Sequence, residues 1–232
     1  MPASLIHRVW ANQVAAEYGS AGITAGLLHQ LILMGAPDAL VRVCHRIVTD
    51  ELDHALLCHE ALVAYGGGDV PVAVEPLLPP PITGLEELVP AALATIVRSF
   101  VFGETIAVPL FAAMRKEATG PALRVLDRIV LDEAVHSKLG WDALDWLIAT
   151  HGEPVQMLVA AHLGEILEFF EARYGRRTVE DLDSDDRAAG LLPASAWRTV
   201  LHDTVRRTIL PRLQSRDISI TGAGPWMHAH PA

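Results

Sequence analysis

The chain has 232 residues, enough for one domain or two small ones with a sizeable buried core. A hydrophobic fraction of 51% beside 20% charged residues excludes a wholly disordered chain. The formal net charge of -10, with no lysine/arginine run to offset it, argues against nucleic acid as a partner.

Apolar residues recur every three to four positions through almost the whole chain, and no alternating strand pattern interrupts them, so the fold class is all-α. Ser4 can cap a first helix running to about Gly35, and Asp38, after Ala36-Pro37, opens a second that ends at Gly66-Gly67-Gly68. A Pro-rich stretch from Asp69 to Ile82 follows and suits an extended crossover. Thr83 with Glu86 fits a capping box for a third helix, which reaches about Ala118. Pro121 starts a fourth helix that stops near Gly152. Tight turns join helices one to two and three to four, so the pattern predicts two antiparallel hairpins with one long crossover, a four-helix bundle over residues 4–152. Two additional helices are expected within 153–214, Pro154 to about Tyr174 and Ala194 to about Leu213, with an acidic linker between them. The tail, 215–232, reads as irregular with Trp226 as an anchor, and its two histidines, His228 and His230, are too sparse for a metal tract. All 232 residues are expected to form a single domain.

Cys44 and Cys58 cannot make a disulfide framework or a Cys-rich metal site by themselves and read as reduced packing residues. The N-terminal stretch lacks a basic-then-apolar profile, and charges, prolines and glycines cut every apolar run short of the roughly 18 to 20 residues a membrane span needs. A soluble, cytoplasmic protein is expected.

Two tetrapeptides carry chemistry: Glu51-Leu52-Asp53-His54 in the second helix and Glu133-Ala134-Val135-His136 in the fourth. Residues three apart on a helix share a face, so each pair offers a carboxylate and an imidazole to one point. Asp50 and Asp132 precede them, and composition alone predicts Asp-Glu-x-x-His about 0.04 times in this chain, yet it occurs twice. Measured from the two turns, Glu17 comes to similar depth as Glu51, and Glu104 as Glu133. Both Glu17 and Glu104 sit in apolar surroundings, where a lone carboxylate faces a desolvation penalty of several kcal/mol unless paired or metal-bound. Four Glu and two His at one level of an apolar bundle form a ligand set for two iron or manganese ions; the competing reading is a buried Glu–His network without metal, or solvent-facing residues. Asp50 could reach across to His136, and Asp132 to His54, to fix the metal-bound rings, or both aspartates could form surface salt bridges. Phe100 and Val108 flank Glu104 as pocket or core residues, and Gly103 and Pro109 can open the helix there. Gly19, Gly22 and Gly26 leave room on one side of helix one for substrate or close packing. His162, Glu165 and His202 are weaker candidates for an extra ligand, and Tyr18 should point away from the site.

The order Glu17, Glu51-x-x-His54, Glu104, Glu133-x-x-His136 resembles the ferritin-like di-iron carboxylate superfamily over about residues 4 to 152. An aspartate before each ligand glutamate is similar to its oxygen-activating branch, multicomponent monooxygenases and the ribonucleotide reductase small subunit among them. Length, the Glu104-to-Glu133 spacing and two helices after the bundle are loosely similar to aldehyde-deformylating oxygenase, but the Glu17-to-Glu51 step is longer, so its substrate is not carried over. The resemblance implies that Glu17, Glu51, His54, Glu104, Glu133 and His136 bind two iron ions, or a manganese/iron pair, with O2 as co-substrate. The implied activity is a non-haem di-iron oxygenase or oxidase acting on a small, rather apolar organic molecule. The alternative is an iron-handling or peroxide-reducing protein of ferritin or rubrerythrin type, although two distant cysteines cannot build a rubredoxin module. No Gly-rich dinucleotide fingerprint is present, so electrons would come from a separate donor such as a ferredoxin or reductase, or from the substrate. The residues after the bundle would cover a substrate pocket or form a homodimer surface.

Overall fold

The structure, a computed structural model, describes residues 4–68 and 84–231. Among these the chain is all-helical, with no strand. Helix α1 spans Leu5–Leu33, and Ser4 caps it by accepting from the His7 amide at 3.2 Å. Gly35, at φ 66°, turns the chain sharply into α2, Asp38–Ala64. Helix α3, Leu88–Arg115, follows a single 3-10 turn at Leu85–Glu87. Helix α4 is Gly120–His151, with Pro121 in its first turn and Gly152, at φ 68°, ending it. The expected crossover and the Thr83 cap lie outside the described residues.

Helix α5, Glu153–Phe170, runs into a π-helical turn, Glu171–Gly175. The acidic linker contains a short helix, α6 (Ser184–Ala188), capped by the Asp183 carboxylate. Helix α7 begins at Ala194–Thr204 and continues through a π turn, Val205–Ile209, into Leu210–Gln214. The tail departs from its irregular expectation: a 3-10 turn, Thr221–Ala223, leads into a short helix α8, Gly224–Ala229, because Pro225 suits a first helical turn and Trp226 is buried.

Helix α1 packs on α2, α2 on α4, α4 on α3, and the start of α3 returns to α1, so four helices surround one interior. Helix α5 packs on α4, and the first part of α7 packs on the last turns of α3. The interior is not a continuous apolar core. One cluster, with Leu31, Ile47, Phe100 and Leu144, fills one end and extends under α5 and α7. A second, with Trp10, Cys58, Phe111 and Leu126, fills the other. Each long helix passes from one cluster to the other, and the level it crosses between them carries buried polar side chains.

Helix α3 differs from the sequence expectation in two ways. By length and composition it is apolar enough to cross a membrane, because only Arg98 and Glu104 interrupt its apolar stretch. In this fold it is a bundle helix that carries Glu104 at the polar level. Its middle, Ile96–Glu104, is π-helical, a wider winding that ends at Glu104 itself and so lies mostly before the opening expected between Gly103 and Pro109, where Thr105–Arg115 is regular α-helix. Opposite it, Gly140 of α4 lets the two backbones meet: an added Cβ would lie 2.6 Å from Phe100 Cβ and 2.9 Å from the Val101 nitrogen.

Candidate metal centre

Between the two apolar clusters the six predicted residues converge. Glu17, Glu51, His54, Glu104, Glu133 and His136 are all buried, and both histidines are fully so. They form two groups, Glu17 with His54 and Glu133, and Glu51 with Glu104 and His136. Within each group the potential ligand atoms lie within 4.8 Å of one another, so each group can hold a metal ion. Glu51 stands between the groups: its Oε1 is 3.3 Å from His136 Nδ1, and its Oε2 is 3.7 Å from His54 Nδ1. The two imidazoles are 5.7 Å apart, centre to centre.

Hydrogen bonding within the chain leaves this layer incomplete. Nδ1 of both histidines and Oε2 of Glu51 and Glu133 are buried and have no hydrogen-bond partner. Buried polar atoms are almost always paired, and four orphans facing one interior are what a bound cation would satisfy. The donor set, carboxylate oxygens with imidazole nitrogens, fits iron or manganese.

The proton affinities report the same crowding. Burial pushes the Glu17 carboxyl up to about 7, only partly opposed by His54. Burial raises Glu104 as well, and the Glu51 charge adds to it. Glu133 is held well above the usual carboxylate range by burial and then by the charges of Glu104, Glu51 and Glu17. Burial also opposes the charge on Glu51, but the two imidazoles facing its oxygens outweigh it and bring Glu51 to about 2. His54 is disfavoured as a cation by burial, yet Glu17 and Glu51 raise it to about 10. Without a cation this layer therefore keeps protons on carboxylates and imidazole to limit its own repulsion.

The outer nitrogens of both rings point across the bundle. His54 Nε2 lies 3.1 Å from Asp132 Oδ2, and His136 Nε2 lies 3.5 Å from Asp50 Oδ2. Asp132 thus hydrogen-bonds the histidine of the opposite helix, whereas Asp50 faces its counterpart without closing a hydrogen bond, and Asp50 Oδ2 and His136 Nε2 are left without one. Both aspartates are also ion-paired, so the two expected roles coexist. Arg128 Nε is 2.8 Å from Asp132 and its other end 3.7 Å from Asp50, while Arg46 spans the same two at 3.3 Å from Asp50 and 3.8 Å from Asp132.

Arg46 and Arg128 were not singled out from the sequence, although a signal existed. The motif is longer than Asp-Glu-x-x-His: Arg-Val-x-x-Arg-Ile-Val-x-Asp-Glu-x-x-His occurs at 42–54 and again at 124–136. An arginine four residues before an aspartate shares its helix face, which is the spacing of an ion pair. Ser20 and Gln13 on α1 were also missed; Ser20 donates to Glu51 Oε1 at 3.0 Å, and Gln13 donates to Glu17. Neither residue belongs to a motif.

Other candidates fall elsewhere. His162 and Glu165 are exposed and face each other at 3.4 Å. His202 pairs with Glu171 at 3.0 Å, outside the bundle centre, because α7 packs on the turn after α5 as well as on α3 and His202 belongs to the former contact. Phe100 is a core residue, whereas Val108 lines a cleft. Tyr18 points outward, as expected. Gly22 and Gly26 border open space, with nothing within 4 Å of an added Cβ, so neither makes a close helix contact, while Gly19 is buried. Cys44 and Cys58 are buried and free.

The cleft, of about 480 Å³, opens between α3, α4 and α7. Thr105, Val108, Ala134 and Ser137 form its inner wall, each next to or one turn from a residue of the centre, and Arg207 and Arg212 stand on the α7 side. Thr105 Oγ1 and Ser137 Oγ are hydrogen-bonded at 2.9 Å, and Trp141 donates to Thr105 at 3.1 Å. Comparison with known proteins identifies no relative: no family model, no curated protein and no solved structure matches the chain.

Proposed function

We propose that this chain is a ferritin-like, non-haem di-iron oxidoreductase, an oxygenase acting on a small and rather apolar organic molecule. The observation that carries the reading is Glu51, with one oxygen toward each of two buried imidazole Nδ1 atoms that have no hydrogen-bond partner in the chain. Glu17, His54 and Glu133 would hold one ion and Glu51, Glu104 and His136 the other. Two iron ions there, or a manganese/iron pair, supply electrons and open coordination positions for O2.

The chain's own residues do the rest. Asp132 fixes the ring orientation of His54 by a hydrogen bond, Asp50 stands 3.5 Å from His136 Nε2 where it would accept once the ring is metal-bound, and Arg128 and Arg46 hold those aspartates in turn. The apolar clusters above and below the polar layer exclude water. Substrate enters the cleft behind Glu104, where Val108, Pro109 and Ala134 offer apolar surface and the Thr105–Ser137 hydroxyl pair offers a polar contact. A separate electron donor, such as a ferredoxin or reductase, supplies turnover. The cleft favours substrate chemistry over iron storage, because storage needs no organic pocket bounded by an added helix such as α7.

The test is anaerobic reconstitution of metal-free protein with ferrous iron, followed by exposure to O2. Two equivalents that depend on Glu51 and Glu133, with O2 uptake coupled to oxidation of an organic substrate, are expected. Wild-type iron binding in Glu51→Ala and Glu133→Ala, or assembly into a cage that mineralises iron, would overturn the reading.

A further inference from the structure

A second convergence of ligand-type side chains lies outside the bundle centre, where three chain segments meet. Glu171 opens the π turn after α5 and is buried. His202 comes from α7 and His230 from the end of α8. Their reactive atoms point at one place: His202 Nε2 is 3.0 Å and His230 Nε2 3.7 Å from the same Glu171 Oε2. The possible ligand atoms all lie within 4.8 Å of one another. Cis ligands on a first-row ion, at about 2.0 to 2.2 Å from the metal, stand about 3 to 3.5 Å apart, so small side-chain movements would enclose an ion.

The surroundings hold these groups in place. Trp226 Nε1 donates to Glu171 Oε2 at 3.2 Å, the kind of outer hydrogen bond that orients a ligating carboxylate. The His202 ring meets Trp226 edge-on at 5.2 Å and the His230 ring at 4.7 Å. Gly175 makes room for the carboxylate, since an added Cβ there would fall 1.9 Å from Glu171 Oε1. Both histidines keep some solvent exposure, and His202 lines a cleft of about 400 Å³ that gives an ion and its remaining water ligands a way in.

We infer that Glu171, His202 and His230 form a separate site for one divalent first-row metal ion, which clips the C-terminal helix α8 onto α5 and α7. One carboxylate and two imidazoles favour zinc, cobalt or iron(II) over magnesium or calcium, which prefer oxygen ligands. Arg206, with its guanidinium 5.4 Å from the Trp226 ring centre, adds a nearby positive charge, so this site should fill after the carboxylate-rich bundle centre.

The probe is Co2+, titrated into metal-free full-length protein and followed by visible absorption and tryptophan fluorescence. Wild type should bind one equivalent more than His230→Gln or Glu171→Gln, and only wild type should show the quenching that Trp226→Phe removes. Glu51→Ala/Glu133→Ala, which strips the bundle centre, should still bind one equivalent, lost when His230→Gln is added. Failure of the bundle reading leaves that equivalent untouched, so the two ideas are judged apart. Equal stoichiometry in wild type and His230→Gln would sink the site, and this comparison stands alone should the double variant not fold, because His230 is partly exposed. Equal stoichiometry would leave Glu171 as a hydrogen-bonded latch for Trp226 and His202.

Discussion

His54 on α2 and Asp132 on α4 meet at 3.1 Å between Nε2 and Oδ2, and Arg128 Nε reaches the same Asp132 oxygen at 2.8 Å. The reciprocal pair, His136 and Asp50, is longer at 3.5 Å. An acceptor of this kind typically matters by about 10- to 100-fold in metal affinity. Asp132→Asn should therefore weaken metal binding within that range, and more than Asp50→Asn does. Equilibrium competition with a chromophoric chelator measures both, and equal or negligible effects would count against the orienting role.

Burial, and then the charges of Glu104, Glu51 and Glu17, hold the Glu133 carboxyl well above the usual carboxylate range and so favour its neutral form without metal, which Glu133→Gln mimics with a neutral amide of similar shape. Thermal unfolding of the metal-free variant should lie within a few degrees of wild type, a change of about 1 kcal/mol or less. Metal stabilisation, by contrast, should vanish. A large destabilisation without metal would indicate that Glu133 is charged there.

Stability of the metal-free protein should fall as pH rises. The folded chain holds the Glu17 proton to about 7 against 4.5 for the free side chain, so stability declines between those values. His54 holds its proton to about 10 against 6.5, extending the decline upward. Glu51 acts oppositely but only in acid: its contribution is present above 4.5 and lost as pH falls toward about 2. Urea midpoints in the presence of a chelator should drop from about pH 5 to about pH 9, and saturating divalent metal, which displaces the protons, should reverse the trend. A midpoint that climbs over this range would contradict the assignment.

Gly140→Ala tests the close approach of α3 and α4. Its methyl would press on Phe100 and Val101 inside the π segment, at a cost of about 1 to 3 kcal/mol by denaturant unfolding. Because that segment ends at Glu104, metal affinity should fall in the same variant. A stability loss with unchanged metal binding would separate the π segment from the centre.

Val108→Phe should fill part of the cleft. Turnover of an organic substrate should slow, with KM rising more than kcat falls, while metal content stays at the wild-type value. Lost metal would mean that the cleft and the centre share a wall that Val108 supports.

Much of the centre was legible because it is encoded by short-range spacing. Glu51 and His54, or Glu133 and His136, share a helix face by virtue of being three apart, and a tight turn fixes the depth at which Glu17 meets Glu51. The aspartate crossing was legible too, since each Asp sits beside its own helix's glutamate. Arg46 and Arg128 were overlooked although the repeated Arg-Ile-Val carries them, because exposed arginines on helices are common and only a partner across the bundle gives them a role. Glu171, the last of three glutamates spaced three apart after Glu165 and Glu168, gave no signal that set it off from them, and His230 looked like half of a weak tail tract.

The sequence by itself determined the long helices, the Ser4 cap of α1, the level at which charge interrupts the apolar stripes, and the six residues at that level. Those follow from periodicity and from the cost of burying an unpaired carboxylate, both local properties of the chain. Only the tertiary structure decided how the six divide into two groups, that α7 closes a cleft beside Glu104, and that Glu171, His202 and His230 meet. Those depend on which surfaces of distant segments fit together, a matter of packing in space that no spacing along the chain specifies.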